Sequence, residues 1–318
     1  MTDSYKVLIL GYGEMGHAME SLLAEQHSLF IWDKFPQAGF QSVVLDDCVP
    51  QMDVIMCCLP VNPHREVLEK IKPLLAEHTI CLSIAKGLDA DGQTASQIFK
   101  QVLHDQPQAL LYGPMIAEEI LAGHYAFAQV GCRTNEVYKR IYSLFSKTKL
   151  FTEQTSDITG ISWSVILKNV YALVFGMADQ LQMGDNTRGF FMVAALSELE
   201  QIVIKMGGKP ASSYHLAGLG DLVTTATSKD SHHYKLGKML ARGETENING
   251  EGVHTLLMIE KHHLLNITMF PLMQLIQQIV KQPELAAQKL NVFIQQCYRK
   301  EIRPSGKAKA ASHNEVTD

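Results

Sequence analysis

The chain has 318 residues, of which 46% are hydrophobic, 19% charged and 8% aromatic, a profile that excludes a disordered chain, a collagen repeat or a coiled rod. Lysine and arginine total 28 against 33 acidic residues, for a formal net charge of −5, and no dense basic run precedes the last few residues. That argues against nucleic acid and against a polybasic membrane patch as partners. At roughly 100–200 residues per domain, the length predicts two domains, each with its own core.

The N-terminal residues lead straight into an apolar, strand-like run at 7–10, without the features of a targeting segment. A helix is expected over 15–24 and a second strand over Ser28–Trp32, forming one βαβ unit. Further strands are expected at 54–59, 79–84, 109–112, 126–130 and 150–151, separated by helical patterns such as 64–76 and 135–147. Strands this apolar imply a mostly parallel sheet covered by helices on both faces. From 160 to 206 the pattern is almost wholly helical, and helices recur at 232–241, 252–263 and 271–280. No wholly apolar run of about 18 residues occurs, 190–196 being among the longest, so no membrane insertion is expected. The six cysteines show neither C-x-x-C nor Cys/His ligand spacing, which predicts reduced thiols, no metal and a cytoplasmic location.

The strongest local signal is Gly11-Tyr12-Gly13-Glu14-Met15-Gly16, directly after the first strand and opening the first helix. The first glycine permits the tight turn, the second clears space for a pyrophosphate, and the third lets helix and strand pack closely. Backbone N–H groups and the helix dipole then attract the anion. Asp33 ends the second strand 22 residues after Gly11, where a carboxylate accepts hydrogen bonds from the adenosine ribose and repels a 2′-phosphate. NAD is favoured on this ground, with NADP as the alternative because Lys34 beside Asp33 could contact that phosphate.

The expected fold class is therefore α/β, a Rossmann-type doubly wound sheet at 1–155 followed by an all-α substrate and catalytic domain at 156–302. A polar tail at 303–318 has too little apolar surface to order itself. In the second half Lys168 lies within the apolar run 166–174. Facing inward, its ammonium loses solvation and its pKa falls towards a useful acid/base value; facing outward, it is a snorkelling lysine.

Further motifs accompany these. They are Arg65-Glu66-Val67-Leu68, Ala85-Lys86-Gly87-Leu88, Gly113-Pro114 followed by Ala117-Glu118-Glu119, and Leu167-Lys168-Asn169-Val170. Later in the chain come Gly184-Asp185-Asn186-Thr187, Met206-Gly207-Gly208-Lys209-Pro210, Ala217-Gly218-Leu219-Gly220-Asp221-Leu222-Val223 with Thr225, and Glu251-Gly252. With this set the chain resembles the NAD(P)-dependent glycerol-3-phosphate dehydrogenase family of the bacterial type, as a divergent member, from the glycine loop to about residue 255.

The resemblance implies that Lys168 is the general acid/base for reduction of dihydroxyacetone phosphate to glycerol 3-phosphate. Asp221 would hold and tune Lys168, and Lys86 would add positive charge near the reacting oxygen. Asn169 and Thr225 would bind substrate hydroxyl or phosphate groups. Gly11, Gly13, Glu14, Met15, Gly16 and Asp33, with Lys86 and Glu251, would contact the cofactor. Phospholipid synthesis would be the product's destination by family analogy. A homodimer is a further expectation, since dimers are common among enzymes of this size and an exposed helix of the second domain would offer the interface.

The departures concern the substrate pocket. Where the family has Ser-Arg-Asn, with an arginine that pairs with substrate phosphate, this chain has Ser231-His232-His233. Met115 replaces a serine, Ala194 a usual arginine, and the segment 34–50 is short for the family. The two histidines, with Lys86 and Lys168, are expected to form a local positive pocket for the phosphorylated anion. Two other readings stand beside this one. One is a related two-domain dehydrogenase, such as a ketopantoate type, acting on another hydroxy or keto substrate. The other is a catalytically silent paralogue that binds NAD.

Overall fold

The computed structural model describes residues 4–229 and 231–301, with side chains up to 297. The tail expected at 303–318 lies outside the described residues.

The first half is a seven-stranded sheet, β1 (Lys6–Leu10), β2 (Ser28–Trp32), β3 (Val54–Cys57), β4 (Ile80–Ser83), β5 (Gln108–Tyr112), β6 (Ala126–Cys132) and β7 (Leu150–Thr155). Its order is β2-β1-β3-β4-β5-β6-β7, parallel except for the antiparallel β5–β6 pair. The register aligns Leu10 with both Trp32 and Cys57, and Cys57 with Ser83, so the strands end together along one edge. Side chains of β1 alternate between two cores: Val7 and Ile9 join one, Leu8 and Leu10 the other. Both faces are thus covered, as continuous apolar strands require. Helices α1 (Glu14–Leu23), α2 (Leu45–Cys48), α3 (His64–Ile71), α4 (Ala95–Leu103), α5 (Ala117–Leu121) and α6 (Asn135–Phe145) connect them. Helix α4 carries a capping box, Thr94 with Gln97, that periodicity alone does not bring out.

The second half is helical: α7 (Ile158–Gln180), α8 (Gly184–Lys205), α9 (Asp221–Thr227), α10 (His232–Ala241), α11 (Glu251–Lys261), α12 (Pro271–Lys281) and α13 (Ala286–Glu301). The helical stretch expected across 160–206 divides at Leu181–Met183, where Gln182 takes φ 53° and the following Gly184 φ 81°. Helix α7 is the axis of this half, with every residue from Gly160 to Ala178 buried. By length and composition α7 is apolar enough to cross a bilayer, with a mean hydropathy of 1.4, although Lys168 and small polar residues keep it from being a wholly apolar run. Its most apolar window is 89% buried within the fold, so it is a core helix. Helix α10 crosses it closely at two facing glycines. A Cβ on Gly237 would stand 2.1 Å from the Leu173 carbonyl, and one on Gly176 2.1 Å from that of Tyr234. This contact seats α10 against the C-terminal half of α7.

Candidate active site

The turn after β1 is built as its glycines require. Gly11 adopts φ 96° and its N–H bonds the Trp32 carbonyl at 2.8 Å. A Cβ on Gly16 would stand 2.3 Å from the Gly11 carbonyl, whereas one on Gly13 would meet nothing within 4 Å. The helix start at Gly13 therefore faces open space. Asp33 accepts the Tyr12 N–H at 2.7 Å and the Phe35 N–H at 2.8 Å. Lys34 pairs with Glu66 at 2.9 Å on the surface.

Beyond the strand ends lies a cavity of about 610 Å³ between the two halves. Gly13, Glu14 and Met15 line it from the glycine turn, Lys86 and Met115 from the loops after β4 and β5. Lys168 and Asn169 enter from α7, Asp221 and Thr225 from α9, His232 and His233 from α10, and Glu251 from α11. Gly11, Gly16 and Asp33 are not part of its lining; they shape the turn and the end of β2 instead.

The lysines converge on one carboxylate. Lys86 Nζ is 2.6 Å from Asp221 Oδ2 and donates to the Gly113 carbonyl at 2.9 Å. Lys168 Nζ donates to Thr225 Oγ1 at 2.7 Å and is 3.2 Å from Asp221 Oδ1. Lys168 is 7% exposed, so the inward of the two readings of its helix holds. Burial, with the charge of Lys86, lowers its pKa to about 8 against the opposing pull of Asp221. Asn169 donates through Nδ2 to the Lys86 carbonyl at 3.2 Å, while its buried Oδ1 has no partner among the described residues. Glu251 packs against Gly87, and burial raises its carboxyl to about 7.

The histidine pair departs from expectation. Both rings reach the cavity, but they do not both add positive charge. Burial holds His233 well below the usual imidazole range, helped by Lys168, His232 and Lys86, so it is neutral at physiological pH. Its Nδ1 is buried and unbonded among the described residues. His232 is exposed and donates through Nε2 to the Asn249 carbonyl at 2.9 Å. No arginine lines the cavity among the described residues. His232, His233 and Glu251 also border a second cavity of about 540 Å³ with Leu88 and His254.

Sequence reasoning missed a buried relay under this site. His64 donates through Nδ1 to the Pro60 carbonyl at 2.8 Å and accepts at Nε2 from Ser83 Oγ at 2.9 Å. Ser83 Oγ in turn accepts the Ala85 N–H at 3.2 Å. The carbonyl only accepts, which sets the imidazole tautomer and the direction of the chain. Pro60 and Ala85 both line the cavity, so the relay braces two of its walls. A histidine opening a helix after Pro63 was the available signal, but its partner Ser83 lies on another strand.

A glycine turn at the C-terminal edge of a parallel sheet, facing a buried lysine on a helical half, is the arrangement of two-part nicotinamide-dependent dehydrogenases. Residues 34–138 match the family model for the NAD-dependent glycerol-3-phosphate dehydrogenase N-terminus, and 157–290 that for its C-terminus. The NAD(P)+ glycerol-3-phosphate dehydrogenase of Saccharophagus degradans is 31% identical over 292 residues, 82% of this chain and 82% of that protein. The corresponding protein of Clostridium acetobutylicum is 31% identical, covering 74% of this chain and 79% of its own. The fold is shared with the crystal structure of glycerol-3-phosphate dehydrogenase from Coxiella burnetii, at a TM-score of 0.79 and 22% identity over 91% of this chain and 99% of that one. The chain belongs to the NAD(P)-dependent glycerol-3-phosphate dehydrogenase family.

Proposed function

We propose that the protein catalyses the reversible reduction of dihydroxyacetone phosphate to glycerol 3-phosphate, with Lys168 as general acid/base. The observation that carries this reading is the desolvated Lys168, bonded to Thr225 and Asp221 in a cavity that also exposes the helix start at Gly13. The residues fit a dinucleotide: the Gly13 backbone borders open space, and the orphaned Asn169 Oδ1 awaits a donor. Bound there, the reduced nicotinamide supplies the hydride for carbon 2.

Lys168 donates its proton to the carbonyl oxygen as negative charge develops on it, and takes it back in the reverse direction. Lys86 stabilises the same developing charge. Asp221 keeps two ammonium groups close together without prohibitive repulsion, and Thr225 fixes the Lys168 amine. In this reading residues 1–155 hold the cofactor and 156–302 supply the acid and the substrate contacts. NAD is preferred over NADP, because the Asp33 carboxylate at the end of β2 would repel a 2′-phosphate and the Lys34 ammonium is engaged by Glu66. The reaction would place the protein in the cytoplasm, supplying glycerol 3-phosphate for phospholipid synthesis.

One observation favours a second reading. A cavity without arginine lacks the permanent bidentate clamp that phosphate recognition usually employs. A related dehydrogenase of another small hydroxy or keto substrate fits that feature. The test is NADH and NADPH oxidation with dihydroxyacetone phosphate, beside a non-phosphorylated keto acid. Turnover of the phosphorylated ketone with NADH supports the first reading, and turnover of the keto acid alone supports the second.

A further inference from the structure

The segment that carries Lys86 is gripped by the helical half at three alternate carbonyls. The Lys86 carbonyl accepts from Asn169 Nδ2 at 3.2 Å. The Leu88 carbonyl accepts from His254 Nε2 at 3.0 Å. The Ala90 carbonyl accepts from Lys261 Nζ at 3.1 Å and His262 Nε2 at 2.9 Å. A carbonyl only accepts, so both imidazoles present Nε2–H.

The sheet half holds the segment from the other side, the Tyr112 hydroxyl donating to the Ala85 carbonyl at 2.8 Å and Lys86 Nζ to the Gly113 carbonyl at 2.9 Å. Between the end of β4 at Ser83 and the start of α4, however, the chain is a turn closed at Asp89 and Gln93 with an isolated bridge between Leu88 and Thr94. The donors stand on rigid elements. Asn169 belongs to the buried axis α7, and α11 is pressed against it so closely that a Cβ on Gly252 would come 2.3 Å from the Asn169 carbonyl. The Lys86 ammonium must span from this segment to Asp221 at 2.6 Å. Contacts of that length tolerate little drift, since a misplacement of about 1 Å can cost about a hundredfold in rate.

We propose that His254 is a positioning residue: by holding the Leu88 carbonyl it fixes the Lys86 segment, and so the Lys86 ammonium, against Asp221, with Lys261 and His262 as the outer stay at Ala90. This deepens the proposed function and rests on it for the role of Lys86. His254 acts at one remove from the chemistry, through the backbone two residues beyond Lys86.

The test compares His254→Leu, which removes the donor, with His254→Gln, whose amide can restore it. Two quantities are measured: steady-state constants with dihydroxyacetone phosphate, and the pH midpoint of Lys168 carbamylation by cyanate, read by peptide mass spectrometry without substrate. In His254→Leu, kcat/KM falls roughly tenfold through the loss of one positioning hydrogen bond. The Lys168 midpoint rises above its starting value of about 8, because the Lys86 charge that lowers it has moved away. His254→Gln recovers most of both changes. An unshifted Lys168 midpoint in folded His254→Leu overturns the proposal, as does a Gln variant as impaired as the Leu variant. Should His254→Leu not fold, the surface double variant Lys261→Ala with His262→Ala decides by the same midpoint, with an upward shift expected and no shift overturning. If the wild-type protein does not turn over dihydroxyacetone phosphate, the proposed function fails while the cyanate titration still decides the positioning role.

Discussion

Lys86 and Lys168 meet at a single carboxylate: Asp221 Oδ2 lies 2.6 Å from one ammonium and Oδ1 3.2 Å from the other. The residues come from a loop after β4 and from the middle of α7, and Asp221 from the start of α9. Burial of the Lys168 ammonium favours its neutral form first of all, and repulsion from the Lys86 charge adds to that. The carboxylate opposes that effect, and the balance leaves Lys168 at about 8.

Removing the shared carboxylate exposes the balance. In Asp221→Asn the attraction that raises the Lys168 pKa is lost while burial and Lys86 continue to lower it. The pH limb assigned to Lys168 moves below about 8. The loss in kcat/KM is expected to be about 100-fold, or about 2.7 kcal/mol. Steady-state kinetics across pH check both, and a limb that moves upward contradicts the assignment.

Lys168 itself gives opposite signs in the two directions. Ketone reduction needs the protonated ammonium, so kcat falls as pH rises through about 8; alcohol oxidation needs the neutral amine, so kcat rises over the same range. Lys168→Ala abolishes both while NADH binding, followed by nicotinamide fluorescence, stays nearly unchanged. Equal loss of binding and turnover would remove the acid/base role.

The histidine pair offers a gain-of-function test. His233 is neutral and His232 spends its Nε2 proton on Asn249, so the permanent charge that α10 brings to the cavity is the single-point ammonium of Lys235, without a bidentate partner for the phosphate. His232→Arg is expected to lower the Michaelis constant for dihydroxyacetone phosphate by roughly tenfold through a charge-assisted, bidentate contact. A Michaelis constant that does not fall would mean that the anion is held elsewhere in the cavity.

The His64 relay makes the fold sensitive to acid. Burial lowers the His64 pKa from 6.5 to about 4, so the unfolded chain takes up a proton first as pH falls. Its contribution is intact above about pH 6.5 and is lost progressively as pH drops towards about 4, to a total of about 3 kcal/mol. Denaturant titrations of wild type and His64→Leu should converge over that window. Parallel curves would show that the imidazole is not the titrating group.

Residues close in sequence were legible because their physics is local. The Gly11–Gly16 turn, Asp33 at the end of β2, and the parallel apolar strands follow from glycine conformation and from short unbroken apolar runs. The motif residues Lys86, Lys168, Asn169, Asp221, Thr225 and Glu251 could be singled out, yet nothing in the string places Lys86 against Asp221, 135 positions away. That pairing depends on how α7, α9 and the loop after β4 pack, as does the neutrality of His233, whose ring looks like a cation until burial beside two lysines is known.

The sequence by itself determined the elements, the glycine turn and the family motifs, since each is written in short-range pattern. Tertiary structure alone decided the charge states and the long-range bonds, among them the lowered Lys168, the His64 relay and the grip of α11 on the Lys86 segment. Desolvation and hydrogen-bond geometry are properties of what surrounds a side chain, and those surroundings exist only once the two halves have packed together.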